Sequence, residues 1–310
     1  MLEAILDRAN LRAAWEDVQA KQGAPGIDAV TLKRWGRNWE ANLERLQQQV
    51  RANTYQPNRP KRFKVLKPDG TFRELSILTV TDRVLQRAVL KALEPLFERR
   101  FLNCSFGYRP KRSVANAITA VVRHRERGYG WVLDADIDHC FDSLDHARLI
   151  DLLRPALVDT AALNLITLWL KAGASRSSNL NSAISNLKSK VGIPLGAVLS
   201  PLLCNVALHE MDAALTRADW ALVRYADDFI VLADSEEQAA WARVDVEEAL
   251  TGLKLKLNER KTRLTSFEQG FRFLGVDFKG DTYTYLYQQK QIKVTGPTTR
   301  LLYDYHPQFY

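Results

Sequence analysis

The sequence predicts an α+β protein, an antiparallel sheet covered on one face by helices, and two observations carry that prediction. Between residues 131 and 258, apolar runs of strand length alternate with helical periodicity in the order strand, helix, hairpin, helix, strand. Within that stretch, Ala221 to Tyr225 and Phe229 to Ala233 are separated only by Ala226, Asp227 and Asp228, which reads as strand, turn, strand.

The elements follow in order. Leu2, Ile5, Leu6, Trp15 and Val18 recur at helical spacing until GAPGID, residues 23–28, punctuates the chain. Residues 51–75 set the turn Pro68-Asp69-Gly70 between Phe63-Lys64-Val65-Leu66 and Phe72-Arg73-Glu74-Leu75, a hairpin with basic flanks. Helices are expected from Thr81 to Arg100 and from Ser113 to Arg127, leading into a strand from Trp131 to Asp136. The pattern is helical again from 145 to Leu170, and the Ser-, Asn- and Lys-rich residues 171–190 read as a loop. Pro201 to Leu215 is a further helix, and Ser235 with Gln238 offers a capping box to another that reaches Leu250. Leu253, Leu255 and Leu257 alternate with Lys254 and Lys256 as in a half-buried strand, and Phe271 to Phe278 resembles one more.

With 310 residues and 46% hydrophobic content, the chain can bury a substantial core. Its 44 Lys and Arg against 36 Asp and Glu give a net charge of +8 and favour polyanionic partners. The cations are clustered: Arg51, Arg59, Lys61, Arg62, Lys64, Lys67 and Arg73 crowd one segment. A second holds Arg99, Arg100, Arg109, Lys111 and Arg112 with no acid between them. Cys104, Cys140 and Cys204 lack the spacing of a disulfide framework or a zinc site, which suits a reducing cytoplasm. No apolar run of membrane-spanning length or signal-peptide core is present, so neither secretion nor a membrane partner is expected.

Acids placed at the ends of apolar strands are the most informative residues. In LDADIDHCFDSLDH, residues 133–146, Asp134 and Asp136 share a strand face and Asp138 continues it; in RYADDFIVLA the pair is Asp227 and Asp228. If both segments join one antiparallel sheet, their carboxylates meet at its edge. Converging carboxylates repel and call for a cation, and hard oxygen donors select Mg²⁺ or Mn²⁺. Two such ions about 3.5–4 Å apart support an in-line displacement at phosphorus. Glycoside hydrolysis also uses paired acids, but it leaves the basic clusters without a role.

Taken together and in this order, GAPGID, KPDGTFREL (67–75), NCSFGYRPKRS (103–113), LDADIDHCFDSLDH, GIPLGAVLSPLLCN (192–205), YADD (225–228), LKLKLNERKT (253–262) and FRFLGVDF (271–278) resemble the successive blocks of reverse transcriptases of the bacterial group II intron-like family. The resemblance covers residues 20–280. It implies a right-hand polymerase with fingers and palm: an N-terminal extension and fingers over 1–130, a palm over 131–280 with a fingers insertion near 150–190, and a remnant toward a short or absent thumb over 281–310. It further implies RNA-directed DNA synthesis in which Asp136, Asp227 and Asp228 are the catalytic acids and hold Mg²⁺, or Mn²⁺. Phe141, five positions after Asp136, resembles the steric gate against ribonucleotides, and Tyr225 the aromatic beside the primer end. Lys67 and Arg73 resemble the triphosphate-binding residues and Lys261 the lysine near the leaving pyrophosphate. Arg109 and Arg112 are placed on the template backbone. Where the family usually has Pro-Gln-Gly, this chain has Pro194-Leu195-Gly196, so the side-chain amide expected near the nucleotide is missing.

The partners so implied are an RNA template, a DNA or RNA primer and deoxynucleoside triphosphates. A CRISPR adaptation integrase or intron RNA joins them according to the branch of the family. The competing reading is a catalytically impaired, polymerase-like nucleic-acid-binding protein that lacks a thumb.

Overall fold

The computed structural model describes residues 1–66, 70, 72–157, 159–174, 191–287 and 290–295. In chain order the elements are α1 (Leu2–Leu6), α2 (Arg8–Ala20), α3 (Leu32–Gly36), α4 (Trp39–Arg51), β1 (Lys61–Leu66), β2 (Phe72–Ile77), α5 (Val80–Glu98) and α6 (Val114–Glu126). They continue with β3 (Trp131–Asp136), α7 (Cys140–Ser143), α8 (His146–Leu153), α9 (Thr160–Gly173), α10 (Ser200–Arg217), β4 (Ala221–Tyr225), β5 (Asp228–Ala233) and α11 (Glu236–Gly252). Last come β6 (Arg263–Ser266), β7 (Phe271–Phe273), β8 (Val276–Lys279), β9 (Thr282–Tyr287) and β10 (Lys290–Thr295). Contacts divide them into two units, each discontinuous in sequence: Met1–Arg100 with Phe141–Val206, and Phe101–Cys140 with Ala207–Tyr310.

The first unit is mostly helical. The helix expected near the N-terminus is two, because Asp7 interrupts it and its Oδ1 accepts the Ala9 and Asn10 N–H groups to start α2. Helix α5 begins at Thr79, whose hydroxyl accepts from the Asp82 N–H, and buries Val84, Leu85, Val89 and Leu93. Strands β1 and β2 pair antiparallel, Leu66 opposite Phe72 and Val65 opposite Arg73, as the hairpin reading requires. Helix α9 runs on to Gly173, so 171–173 are helical where a loop was expected; residues 175–190 and Pro68-Asp69 lie outside the described residues. The GIPLGAVLS segment is strapped to this unit by backbone bonds from Ile193 N–H to Phe141 O (2.8 Å) and from Ser76 N–H to Leu195 O (2.8 Å). Gly196 adopts φ +99°, and a Cβ there would stand 2.6 Å from the Ser76 carbonyl oxygen, so only glycine fits the approach.

The second unit holds two four-stranded antiparallel sheets, ordered β4-β5-β3-β6 and β10-β9-β8-β7. Ser113 and Asn116 form a reciprocal capping box at the start of α6. The apolar stripe Val114, Ile118, Val121 and Val122 joins Val132, Val223, Ile230 and Leu232 of the first sheet in one core. Phe271, Phe278 and Tyr283 of the second sheet complete it. On the first sheet the alternate residues Leu133, Phe229 and Val231 are fully buried too, and α11 packs against β3, β5 and β6. Both faces are therefore dry, and the continuous apolar run Phe229 to Ala233 is the consequence.

Two strand assignments need correction. Residues 253–257 bury their leucines, yet Lys254 adopts φ 59° and Leu255 N–H bonds back to Leu250 O, so the segment closes the end of α11 and makes only a bridge, Leu257 to Ile137. The sheet's last strand is β6 instead. Phe271 to Phe278 is a hairpin, not one strand, because Leu274 and Gly275 both take positive φ, the backbone of a tight two-residue turn. Beyond it the chain continues as β9 and β10, antiparallel additions to the same sheet.

Candidate active site: carboxylates on the central strands

Strand register brings the two acidic segments together. Asp136, the last residue of β3, lies directly across from Asp228, the first of β5, and Asp228 is also the partner of Tyr225 on β4. Cα atoms of such pairs lie about 4.5–5.5 Å apart, so the three elements converge at one end of the sheet. Ala226 and Asp227 form the connecting turn, with Ala226 at φ 62°, a conformation that suits two-residue hairpins but that alanine adopts reluctantly.

The turn is held from behind. Arg224 is fully buried; its Nη1 donates to the Ala226 carbonyl (2.8 Å), its Nη2 to Ser105 Oγ (2.8 Å), and its Nε to Oδ1 of the equally buried Asp212 on α10 (2.7 Å). A second Nη2 contact, to Asp212 Oδ2, makes the pair bidentate. Backbone bonds from Arg224 N–H to Cys104 O and from Phe106 N–H to Arg224 O extend β4 onto the segment Cys104–Phe106 (both 2.8 Å). Gly107 then passes so close to the turn that a Cβ on it would collide with the Ala226 nitrogen. Sequence reasoning missed Arg224, Asp212 and Gly107 as determinants of this site. The signal available was an arginine directly before YADD inside an apolar strand.

Electrostatics mark the site as overloaded with negative charge. The Asp228 carboxyl is pushed up to about 7, first by burial and then by the charges of Asp134, Asp227 and Asp136, against which Lys261 pulls it down. Asp134, on the same face of β3 as Asp136, is raised by burial and by Asp136, and is held down by Arg263. Arg263 pairs with it at 3.0 Å. Lys261 Nζ donates to Asp136 Oδ2 at 3.1 Å, and Asn258 Nδ2 donates to the same oxygen at 3.2 Å. Tyr225 is half-buried, its hydroxyl raised by burial. Among the described residues no three His, Cys, Asp or Glu side chains stand close enough to enclose an ion. Asp136 instead turns to Lys261 and Asn258, as a carboxylate facing like charges does. The donor set is nevertheless all oxygen and in excess of its counter-charge, which fits a hard divalent cation.

The remaining expected residues fall elsewhere. Arg73 is exposed on β2, and Lys67 lies outside the described residues. Phe141, 8% exposed, sits in α7 of the first unit. Arg112 donates to Asn103 O (3.0 Å) and Asn103 Oδ1 (2.7 Å) at the surface of the second unit. Arg109 departs from its expected place on template backbone: it is 6% exposed, and its guanidinium bonds the carbonyls of Leu102 (2.6 Å) and Ser105 (2.8 Å). A buried guanidinium bonded to these carbonyls closes the loop after α5.

A buried antiparallel sheet that presents clustered carboxylates on two adjacent strands, the second pair on a tight hairpin, defines a palm-type nucleotidyl polymerase site. The chain matches the family Reverse transcriptase (RNA-dependent DNA polymerase) over residues 65–278, and it belongs to that family. It is 31% identical to Protein YkfC of Escherichia coli, across 81% of this chain and 74% of that protein. It is 28% identical to the group II intron-encoded protein LtrA of Lactococcus lactis, across 77% of this chain and 50% of that one. Apo telomerase from Candida tropicalis shares the fold, with a TM-score of 0.51 and 13% identity over 72% of this chain and 47% of that chain. Reverse transcriptases generally work with divalent metal ions. No helix among the described residues is long and apolar enough to cross a membrane.

Proposed function

We propose that the chain extends a DNA or RNA primer with deoxynucleotides on an RNA template, and that Asp136, Asp227 and Asp228 hold two divalent ions, Mg²⁺ or Mn²⁺, for that reaction. One observation carries the assignment: register places Asp136 opposite Asp228, where burial first and neighbouring carboxylates second push the Asp228 carboxyl up to about 7. In the reaction the primer 3′-oxygen forms a bond to the α-phosphorus, the bond to the β-phosphate oxygen breaks, and pyrophosphate leaves. Bound divalent ions would supply a lowered hydroxyl pKa and charge stabilisation for the leaving group.

The protein's own residues bind and orient. Lys261, within reach of Asp136, is placed to shift toward pyrophosphate, and the exposed Arg73, with Lys67, would receive the triphosphate. Phe141 is proposed as the ring that excludes a 2′-hydroxyl, Tyr225 as the surface beside the primer end, and Arg112 as a template contact. We read the unit that carries the acids as palm and the other as fingers. Because LtrA is a group II intron-encoded protein, intron RNA is the further partner we favour over a CRISPR integrase. Three free cysteines suit a cytoplasmic setting.

Primer extension on a defined RNA template with deoxynucleotides and Mg²⁺ tests the reading. Extension by the wild type, abolished by Asp227→Ala with Asp228→Ala, is the expected result. A folded wild type that binds primer and template yet never extends them would make this a binding protein.

A further inference from the structure

The second unit has another concave feature, along the outer side of β4. A cleft of about 820 Å³ runs beside α6 between Lys111 and Arg112 at one end and Arg123 and Arg127 at the other, with Trp220 and Leu222 in its wall. Asn116, Thr119, Ala120, Arg123 and Arg127 recur three or four residues apart, so they form one stripe of the helix and the turn that follows it. From Arg112 to Arg127 at 1.5 Å per residue, that stripe is about 20 Å long. It leads away from the acids: Ala221 and Leu222 line it at the start of β4, about 10 Å of strand from Tyr225.

Its charge is one-sided. No Asp or Glu lines the cleft, although the chain holds 36 of them. Arg125, on another face of α6, is engaged by Glu268 and Asp281, whereas Lys111, Arg123 and Arg127 form no ion pair among the described residues. Cations at both ends, neutral hydrogen-bonding side chains between them and an aromatic wall are the features with which proteins follow a single nucleic-acid strand.

We infer that this cleft binds the phosphodiester backbone of single-stranded RNA outside the stretch being copied, with Lys111, Arg123 and Arg127 as the phosphate contacts. The Asn116 amide NH2 donates along the strand, and Thr119 Oγ1, whose proton goes to Ala115 O, accepts from a ribose hydroxyl. An acidic peptide would match the charge but not the length of this largely polar helix face. That the strand lies outside the copied stretch rests on the polymerase reading, but binding here needs no turnover, so its failure is distinguishable from that of the polymerase reading.

The test compares wild type with the triple variant Lys111→Ala, Arg123→Ala, Arg127→Ala in fluorescence anisotropy, using a labelled single-stranded RNA and a DNA of the same sequence over a salt series. Three phosphate contacts contribute a slope of about 2 in log affinity against log salt, so the variant should bind RNA roughly a hundredfold more weakly at 0.1 M salt and converge with wild type toward 1 M. The charge-conserving variant Arg123→Lys, Arg127→Lys should retain most of the slope, and thermal melts matching wild type exclude misfolding. Loss on RNA, alone or equally on DNA, supports the site. Unchanged RNA affinity and slope in a folded variant, or loss confined to DNA, overturns it.

Discussion

Replacing Asp228 with Asn should make the protein more stable and inactive at once. Burial and three neighbouring carboxylates raise the Asp228 carboxyl from 3.8 to about 7. At about 1.36 kcal/mol per pKa unit, the ionised side chain costs up to roughly 4 kcal/mol of stability, and about 2–4 kcal/mol after partial solvent screening. The folded-state value lies above the unfolded one, so the folded protein holds the proton more tightly. The destabilisation is absent below about pH 4, grows between pH 4 and 7, and is complete above pH 7. In chelator at pH 8, Asp228→Asn should therefore melt roughly 3–6 °C above wild type, and the difference should close as pH falls toward 4. Mg²⁺ should raise the wild-type melting temperature more than the variant's, since an ion that binds only the folded carboxylates stabilises by mass action. Thermal melts with and without Mg²⁺ across pH 4–8 read all three effects. A variant no more stable than wild type in chelator at pH 8, or one that gains as much from Mg²⁺, would refute the picture of an overcharged site.

The buried Arg224–Asp212 pair offers a separable test: Asp212→Ala should cost about 3–5 kcal/mol by stranding a buried guanidinium, measured by denaturant unfolding. The double variant Arg224→Met, Asp212→Leu should recover much of that stability while kcat stays low, because nothing then fixes the Ala226 carbonyl; restored kcat would remove the positioning role. Lys261→Ala should change stability by less than about 1 kcal/mol, since the pair is largely exposed. It should also move the acidic limb of the pH–rate profile upward, because Lys261 holds the Asp228 carboxyl down. Phe141→Ala should raise ribonucleotide incorporation relative to deoxynucleotide about 10- to 100-fold in single-nucleotide extension, and unchanged selectivity would leave Phe141 as a core residue only.

Much of the acid-bearing sheet was legible because it is written in local pattern. Strand alternation ending in Asp136 and the interruption Ala226-Asp227-Asp228 between two apolar runs gave β3, β4 and β5 within a residue, and the order of blocks gave the family. Residues whose roles depend on distant partners stayed hidden. Arg263 to Ser266 is too short and polar to announce a strand, and only pairing with β3, with Arg263 against Asp134, makes it one. The leucine and lysine alternation at 253–257 has strand periodicity, yet its backbone turns back onto α11. Arg109 shows the limit for cations: in sequence it belongs to a basic cluster, and in the fold its charge satisfies carbonyls.

Each unit is assembled from two separated stretches, with the chain crossing between units after Arg100, Cys140 and Val206. During synthesis the first hundred residues wait for 141–206 before their unit is whole, and β3 emerges long before β4, β5 and β6 exist to flank it. Local helices such as α5 can form early, but the acid-bearing sheet is a late, non-local event, exposed meanwhile to mispairing. For anyone dividing this gene for expression or complementation, a cut at residue 140 would yield two fragments that each lack part of both units.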